Sequence, residues 1–441
     1  MICNDFELLM KKVIFITIIF FGEFLMSQDA MEQGQNFINV IGKHFFRNGK
    51  PYYFLGTNFW YGMNLGSLGL GGDRDRLLRE LDHLNKIGVK NLRVMGASEG
   101  PDTEPWRIRP ALQVAPGEYN EEVLDGLDFL LAEMGKRDMT AIMCMNNFWP
   151  WSGGMAQYVS WQDSSEIPYP PISGDGDWQT YQEYTASFYS NENAVTDFFN
   201  HLRFIILRKN SYTGKLYRDD PTIMTWQLGN EPRGINNRED FLRWTENTAK
   251  YIKSMDSSHL ITIGSEGATA HPSSGNDFLV DHESSYIDYT TIHVWVQNWG
   301  WFDPYDKKSL SPAIEKATAY INEHAVLAEK LNKPIVLEEF GISRDGNDHA
   351  VTGFVTLRDE YYSQIFTHIL DKAVAGSPIA GLNFWAWGGM GRPRKPQAIW
   401  NIGDDFTGDP PHEHQGWYSV YDTDSTTLEI IGQYTRKFNS L

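Results

Sequence analysis

Thr225-Trp226-Gln227-Leu228-Gly229-Asn230-Glu231-Pro232-Arg233 is an apolar run that stops at a carboxylate. Ile335-Val336-Leu337-Glu338-Glu339-Phe340-Gly341 stops in the same way. Near-continuous apolar runs of this kind suit parallel strands buried on both faces. Outward from these two, six more runs share the character: Tyr52–Gly56, Asn91–Met95, Thr140–Met145, Leu260–Ile263, Thr290–Val294 and Leu382–Trp385. Helical patterns fall between them. Leu77, Leu81 and Leu84 form one stripe of Arg74–Ile87, with Gly88 placed to cap its end. Asn120 is placed to cap a helix that buries Leu124, Leu127 and Leu131. Ala194–Arg208, Asp240–Met255, Pro312–Leu331, Val355–Ala373 and Thr427–Phe438 read similarly. Alternating βα units predict an α/β fold, a (β/α)8 TIM barrel with long loops at the C-terminal face. Phe46-Arg47-Asn48-Gly49-Lys50 predicts a type I′ turn in a short N-terminal β-hairpin, suited to covering the barrel bottom.

The chain has 441 residues, with 38 Lys and Arg against 57 Asp and Glu, a net charge of −19. That balance excludes a duplex nucleic-acid binder, which would carry a basic patch. Aromatics reach 14%, with 15 Trp, and favour surfaces that stack on sugar-like ligands. Cys3 and Cys144 are too few for a disulfide framework or a zinc ribbon. Lys11-Lys12 followed by Val13–Phe21 has the form of an export signal, and the run is too short to span a bilayer. We therefore expect a signal peptide over residues 1–27, with Met10 an alternative start. Residues 37–441 should then form one catalytic domain. The mature protein is expected to be secreted, periplasmic or at the cell surface, monomeric, without membrane insertion, cofactor or metal.

In a barrel, C-terminal strand ends converge on one mouth. Glu231 and Glu339 would then face each other across it. Two facing carboxylates, one protonated and one ionised, are the requirement of glycoside hydrolysis. Asn230 can hydrogen-bond a sugar 2-hydroxyl. A non-catalytic carbohydrate-binding barrel would have no use for both acids. Trp149, Trp151, Trp161, Trp178, Trp299, Trp301, Trp400 and Trp417 fall in the loops after strands, where several should line a cleft. Asn58, Trp60 and Tyr61 follow the first strand and could also reach substrate. His412-Glu413-His414 is a weak metal pattern in a Pro-rich loop.

Trp-Gln-Leu-x-Asn-Glu-Pro-Arg at 226–233 and Glu-Glu-Phe-Gly at 338–341 resemble the acid/base and nucleophile motifs of glycoside hydrolase family 5. Arg233, two residues after Glu231, resembles the endo-β-1,4-mannanase subfamily. The resemblance spans roughly Phe37 to Phe438. It implies Glu231 as acid/base and Glu339 as nucleophile, with Asn230 on the 2-hydroxyl. It further implies that Arg93 braces the nucleophile, His293 lies near the acid/base and Trp385 floors the −1 sugar. Trp295 stands where many members have a Tyr bonded to the nucleophile; its N–H can donate but cannot accept. Trp149, Trp60 and Arg233 are further expected substrate contacts. Glu338 should point away from the site because adjacent strand residues alternate sides, and Pro232 should keep Glu231 extended. The activity implied is retaining, endo-acting hydrolysis of β-1,4 links in mannan polysaccharides or oligosaccharides, including glucomannan and galactomannan. Endo-glucanase and exo-β-mannosidase remain as alternatives.

Overall fold

The computed structural model describes residues 36–441, apart from 104–105, 172–173 and 270–271. The expected leader over residues 1–27 lies outside the described residues. Eight strands form the central sheet: β1 Phe54–Asn58, β2 Asn91–Met95, β3 Thr140–Cys144, β4 Ile223–Gln227, β5 Leu260–Thr262, β6 Thr290–Val294, β7 Ile335–Phe340 and β8 Ile379–Phe384. Every residue in them is buried, as the unbroken apolar runs require. All pairings are parallel, in the order β5-β4-β3-β2-β1-β8-β7-β6. The remaining seam, β5 against β6, carries no ladder and is closed by individual bonds. Asp288 N–H donates to Ile261 O at 2.9 Å and His293 N–H to Glu266 O at 3.1 Å. Thr262 Oγ1 donates to Tyr289 O and Thr291 Oγ1 to Ser265 O, each at 2.9 Å. The result is a nearly closed (β/α)8 barrel.

Helices α1 Arg74–Lys86, α2 Glu121–Lys136, α3 Glu192–Ile206, α4 Arg238–Met255, α5 Phe278–Asp281, α6 Leu310–Leu331, α7 Thr356–Val374 and α8 Ser425–Phe438 follow the strands in turn. Asn120 Oδ1 accepts from Glu122 and Val123 N–H, the expected cap of α2. Gly88 has φ +88° after α1, the left-handed value that ends helices cheaply only at Gly. Three strands depart from their expected bounds by two residues or more, and the first of them, β1, lies at Phe54–Asn58 rather than Tyr52–Gly56. β7 runs on through Glu338 and Glu339 to Phe340. β8 begins at Ile379 rather than Leu382, because Gly381 interrupts its apolar pattern; a Cβ there would lie 2.5 Å from the Phe54 ring.

Ile38–Ile41, His44–Arg47 and Lys50–Pro51 make the N-terminal antiparallel sheet, turning at Asn48 and Gly49 with φ +55° and +73°. Its Ile38 and Phe45 pack against Phe54, Ile142, Met224, Leu260, Tyr289, Val336 and Ala380. Those seven come from the lower part of the barrel, so the hairpin plugs its base. Burying one such Phe contributes ~1.5–3 kcal/mol. The opposite end is built from long loops. The segment between β3 and α3 carries two extra helices, Gly154–Asp163 and Trp178–Ala186, and another long segment joins β8 to α8. Among the described residues, no helix is long and apolar enough to cross a membrane.

Candidate active site

The upper strand ends open into a cleft of about 600 Å³ whose wall includes Asn230, Glu231, Arg233, Glu339, Trp149, Trp295 and Trp385. Glu231 follows β4 with φ +51°, not the extended conformation expected before Pro232. Its N–H donates to Gly264 O at 2.9 Å, which fixes the turn. A non-glycine residue held at such a φ costs about 1–3 kcal/mol, a strain that clusters at functional sites.

Both Glu231 oxygens have hydrogen-bond partners. Oε1 lies 2.6 Å from His293 Nδ1, and Oε2 accepts from Trp149 Nε1 at 2.5 Å. The same His293 Nδ1 lies 3.3 Å from Glu339 Oε2. Glu231, His293 and Glu339 each bring one polar atom within 4.8 Å of the others. This closeness sets one imidazole nitrogen against both carboxyl groups. Burial alone would push His293 down, but Glu339, Glu231 and Glu338 together raise it well above the ordinary imidazole range.

Arg93, at the middle of β2, organises the floor. Its Nη1 donates to Glu339 Oε1 and, at 3.0 Å, to Asn58 Oδ1. Nε donates to Gln227 Oε1 at 2.9 Å and Nη2 to Asn230 Oδ1 at 2.7 Å. Burial opposes the guanidinium charge, yet Glu339 beside it raises Arg93 above its usual value. Asn230 is therefore turned with its oxygen on Arg93 and its Nδ2 toward Asn147 Oδ1 at 3.1 Å.

Glu338 does not point away. The β6–β7 register pairs Ile292 with Leu337 and then His293 with Glu339, so Glu338 is the extra residue of a bulge. The bulge breaks strict alternation and lets two successive carboxylates reach the barrel interior. Glu338 Oε2 accepts from Gln227 Nε2 at 2.5 Å, and Oε1 accepts from Tyr289 Oη at 3.3 Å.

Several aromatic expectations need correction. Trp60 is 2% exposed, donates Nε1 to Gly408 O at 2.9 Å and stays out of the cleft wall; it anchors the loop after β8. Asn58 binds Arg93, and Tyr61 is buried with its hydroxyl on Trp387 O. Trp295 does face the cleft, but it packs against Trp385 and Tyr418, with ring centroids 5.8 and 5.2 Å away; among the described residues it shares no hydrogen bond with Glu339. Trp151, Trp178, Trp299 and Trp417 line the cleft, whereas Trp400 is buried against Phe406.

Arg233 lines the cleft, but its fork is engaged by protein. Nε and Nη2 reach the two Glu266 oxygens at 2.7 and 2.9 Å, and Nη1 reaches Gln182 Oε1 at 2.8 Å. The guanidinium also lies 4.8 Å from the centre of the Trp149 ring. Burial pushes Glu266 up, Arg233 pulls it back, and the balance stays above the usual carboxylate value.

Sequence reasoning missed Glu266, Gln182, Asn298 and Tyr418, all on the cleft wall. Glu266 follows β5, so the strand-end rule that found Glu231 and Glu339 could have found it. His412, Glu413 and His414, set aside as a weak metal pattern, also form part of that wall. Burial, with Asp409, Glu339 and Glu231 nearby, raises Glu413 well above the carboxylate range; burial pushes His412 down to about 4. The His412 ring is therefore neutral at pH 7, and the Glu413 carboxyl holds its proton more firmly than a free carboxylate does.

A family model described as "GH family 5 beta-mannosidase-like" matches residues 35–441. The crystal structure of a Glycoside Hydrolase Family 5 Mannosidase from Rhizomucor miehei is 39% identical with a TM-score of 0.85, covering 92% of this chain and 98% of that one. A variant of that protein, solved in complex with mannosyl-fructose, is also 39% identical, with a TM-score of 0.86 over 92% and 98% of the two chains. Mannan endo-1,4-beta-mannosidase 5 of Solanum lycopersicum is 31% identical over 379 residues, 82% of this chain and 83% of that protein.

Proposed function

Because the chain belongs to the glycoside hydrolase family 5 β-mannosidase-like family, we propose that it is a retaining hydrolase of β-1,4-mannosidic linkages. One observation carries the stereochemistry: His293 joins Glu231 and Glu339, with polar atoms of the three within 4.8 Å. Retaining enzymes hold their carboxyl groups ~5–5.5 Å apart, whereas inverting enzymes need ~6.5–9.5 Å to admit a water. In this reading Glu339, held by Arg93, attacks the anomeric carbon while Glu231 protonates the departing oxygen. Glu231 then takes a proton from water, which releases the sugar from Glu339. Asn230, oriented by Arg93 and Asn147, offers its remaining N–H to the 2-hydroxyl, and Trp385 packs beneath the ring. Residues 37–441 act as the catalytic domain, exported by the leader before them.

The tomato mannanase and its like support internal cleavage of mannan. A second reading, release of single mannose units from chain ends, is favoured by the loop after β8. That loop places Pro410, His412, Glu413, His414, Trp417 and Tyr418 on the cleft wall, where they can close one end of it. Mannohexaose digestion separates the two. Internal cleavage yields mannobiose and mannotriose early; end-wise cleavage yields mannose and mannopentaose first. Nuclear magnetic resonance of the first-formed anomer tests retention, and the α-anomer as first product would refute it. A chain that cleaves cellulose or xylan in preference to any mannan would refute the substrate.

A further inference from the structure

We propose that Glu338 is a positioning residue for this reaction: a third buried carboxylate that keeps His293 doubly protonated and so leaves the exchangeable proton of the cluster to Glu231. The inference rests on the hydrolytic reading above. Its first support is the bulge, which turns Glu338 into the barrel beneath the nucleophile, where it is fully buried. A buried carboxylate without neutralising partners is expensive, so its surroundings identify its role. Gln227 and Tyr289 donate hydrogen bonds to it; Arg93 Nε lies 3.7 Å and His293 Nε2 3.9 Å away.

The second support is the imidazole itself. Nδ1 faces the oxygens of Glu231 and Glu339, and buried Nε2 faces Glu338, with no hydrogen-bond partner among the described residues. Neutral imidazole carries one donor and one acceptor, whereas imidazolium carries two donors. Nδ1 stands between the oxygens of two carboxyl groups, and Nε2 faces the Glu338 charge 3.9 Å away, a field that favours a proton on each nitrogen. Without Glu338, Nε2–H would face no negative charge.

The third is the charge count. Glu231, Glu338 and Glu339 stand against Arg93 and His293, leaving one negative charge in excess. A proton on Glu231, the form its acid role requires, cancels it. The other titratable groups facing the cluster leave that count alone. Glu266 is paired with Arg233, burial and Asp409 push the Glu413 carboxyl toward its protonated form, Cys144 is a thiol pushed up to about 12, and burial keeps the Tyr289 phenol protonated.

Removing the Glu338 charge would let the cluster reach neutrality with Glu231 unprotonated. Glu338→Gln keeps the shape and should move the high-pH limb of kcat/KM on mannotriose down by about 0.5–1 pH unit, the scale of one nearby charge. Glu338→Asp keeps the charge and should leave that limb nearly in place. A purely structural role predicts a rate lowered equally at all pH with limbs unmoved, and that result overturns the proposal. Ring-nitrogen resonances of His293 in the wild-type enzyme give a second test that needs no variant to fold. A ring still doubly protonated above the ordinary imidazole range is expected, and a neutral ring at pH 6 overturns the proposal. A chain inert on every β-mannoside would sink the hydrolytic reading instead, with the ring measurement still deciding the state of His293.

Discussion

Trp149→Phe isolates one hydrogen bond to the acid/base. The indole N–H reaches Glu231 Oε2 at 2.5 Å, and His293 serves the other oxygen. Phenylalanine keeps a ring against Phe148, Trp178 and Arg233 but has no donor. A hydrogen bond to a charged group is worth ~1.5–3 kcal/mol. If Glu231 has released about half its proton in the first transition state, about half of that value is lost there, ~0.8–1.5 kcal/mol. This corresponds to about a 4- to 13-fold fall in kcat/KM. The loss should appear on mannotriose, whose leaving sugar needs protonation. It should nearly vanish for cleavage of 2,4-dinitrophenyl β-mannoside, whose leaving group departs unprotonated. Stopped assays on the oligosaccharide and continuous assays on the aryl substrate give the two ratios. An equal loss on both would mean that Trp149 acts only through packing, and the reasoning would fail.

Glu339→Ala should abolish turnover of every substrate. Glu231→Ala should spare dinitrophenyl mannoside in its first step and be partly rescued by azide, read as mannosyl azide by chromatography; equal loss on all substrates would reverse the assignment. Arg233→Ala should cost ~3–5 kcal/mol of stability by stranding buried Glu266, and Arg233→Lys less, because charge survives while the fork does not. Denaturant titration measures both, and unchanged stability in the Ala variant would deny the pair that role. Burial raises Glu99 to about 7, with its Oε2 on Gly154 N–H at 2.8 Å. Folded Glu99 thus holds a proton that the unfolded chain has released. Its contribution is fullest below about pH 4.5 and falls as pH rises through 7. Between pH 5 and 8 the wild type should lose up to ~3 kcal/mol more than Glu99→Gln; parallel stability curves would refute this.

The barrel was legible because buried parallel strands write long apolar runs, and because caps such as Asn120 and Gly88 act locally. Glu231 and Glu339 were legible because strand ends converge. What stayed hidden depends on geometry across the chain. The bulge at Glu338 arises from register with β6, which no local pattern encodes. Trp60 and Trp149 have similar positions after their strands, yet one is held inward by Gly408 and the other reaches Glu231. Arg233 could have bound sugar or a neighbouring acid, and only the fold shows that Glu266 occupies its fork. The wall formed by His412, Glu413 and His414 lies on a segment without periodicity, so its inward course carried no signal.

The β5–β6 seam makes the barrel a ring with a clasp. Elsewhere each strand is joined to its neighbours by a ladder, whose bonds break together when two strands separate. At the clasp, a few separate bonds hold, and one of them links His293 N–H to Glu266 O. Subglobal opening should begin where cooperative bonding is thinnest. Native-state deuterium exchange should then find the amides of Asp288 and His293 releasing protons before those of β2 and β3. Since His293 joins both carboxylates, each such excursion would disconnect the pair while most of the barrel stays folded. On heating, catalytic competence should fade in step with exchange at the clasp, ahead of the cooperative melt.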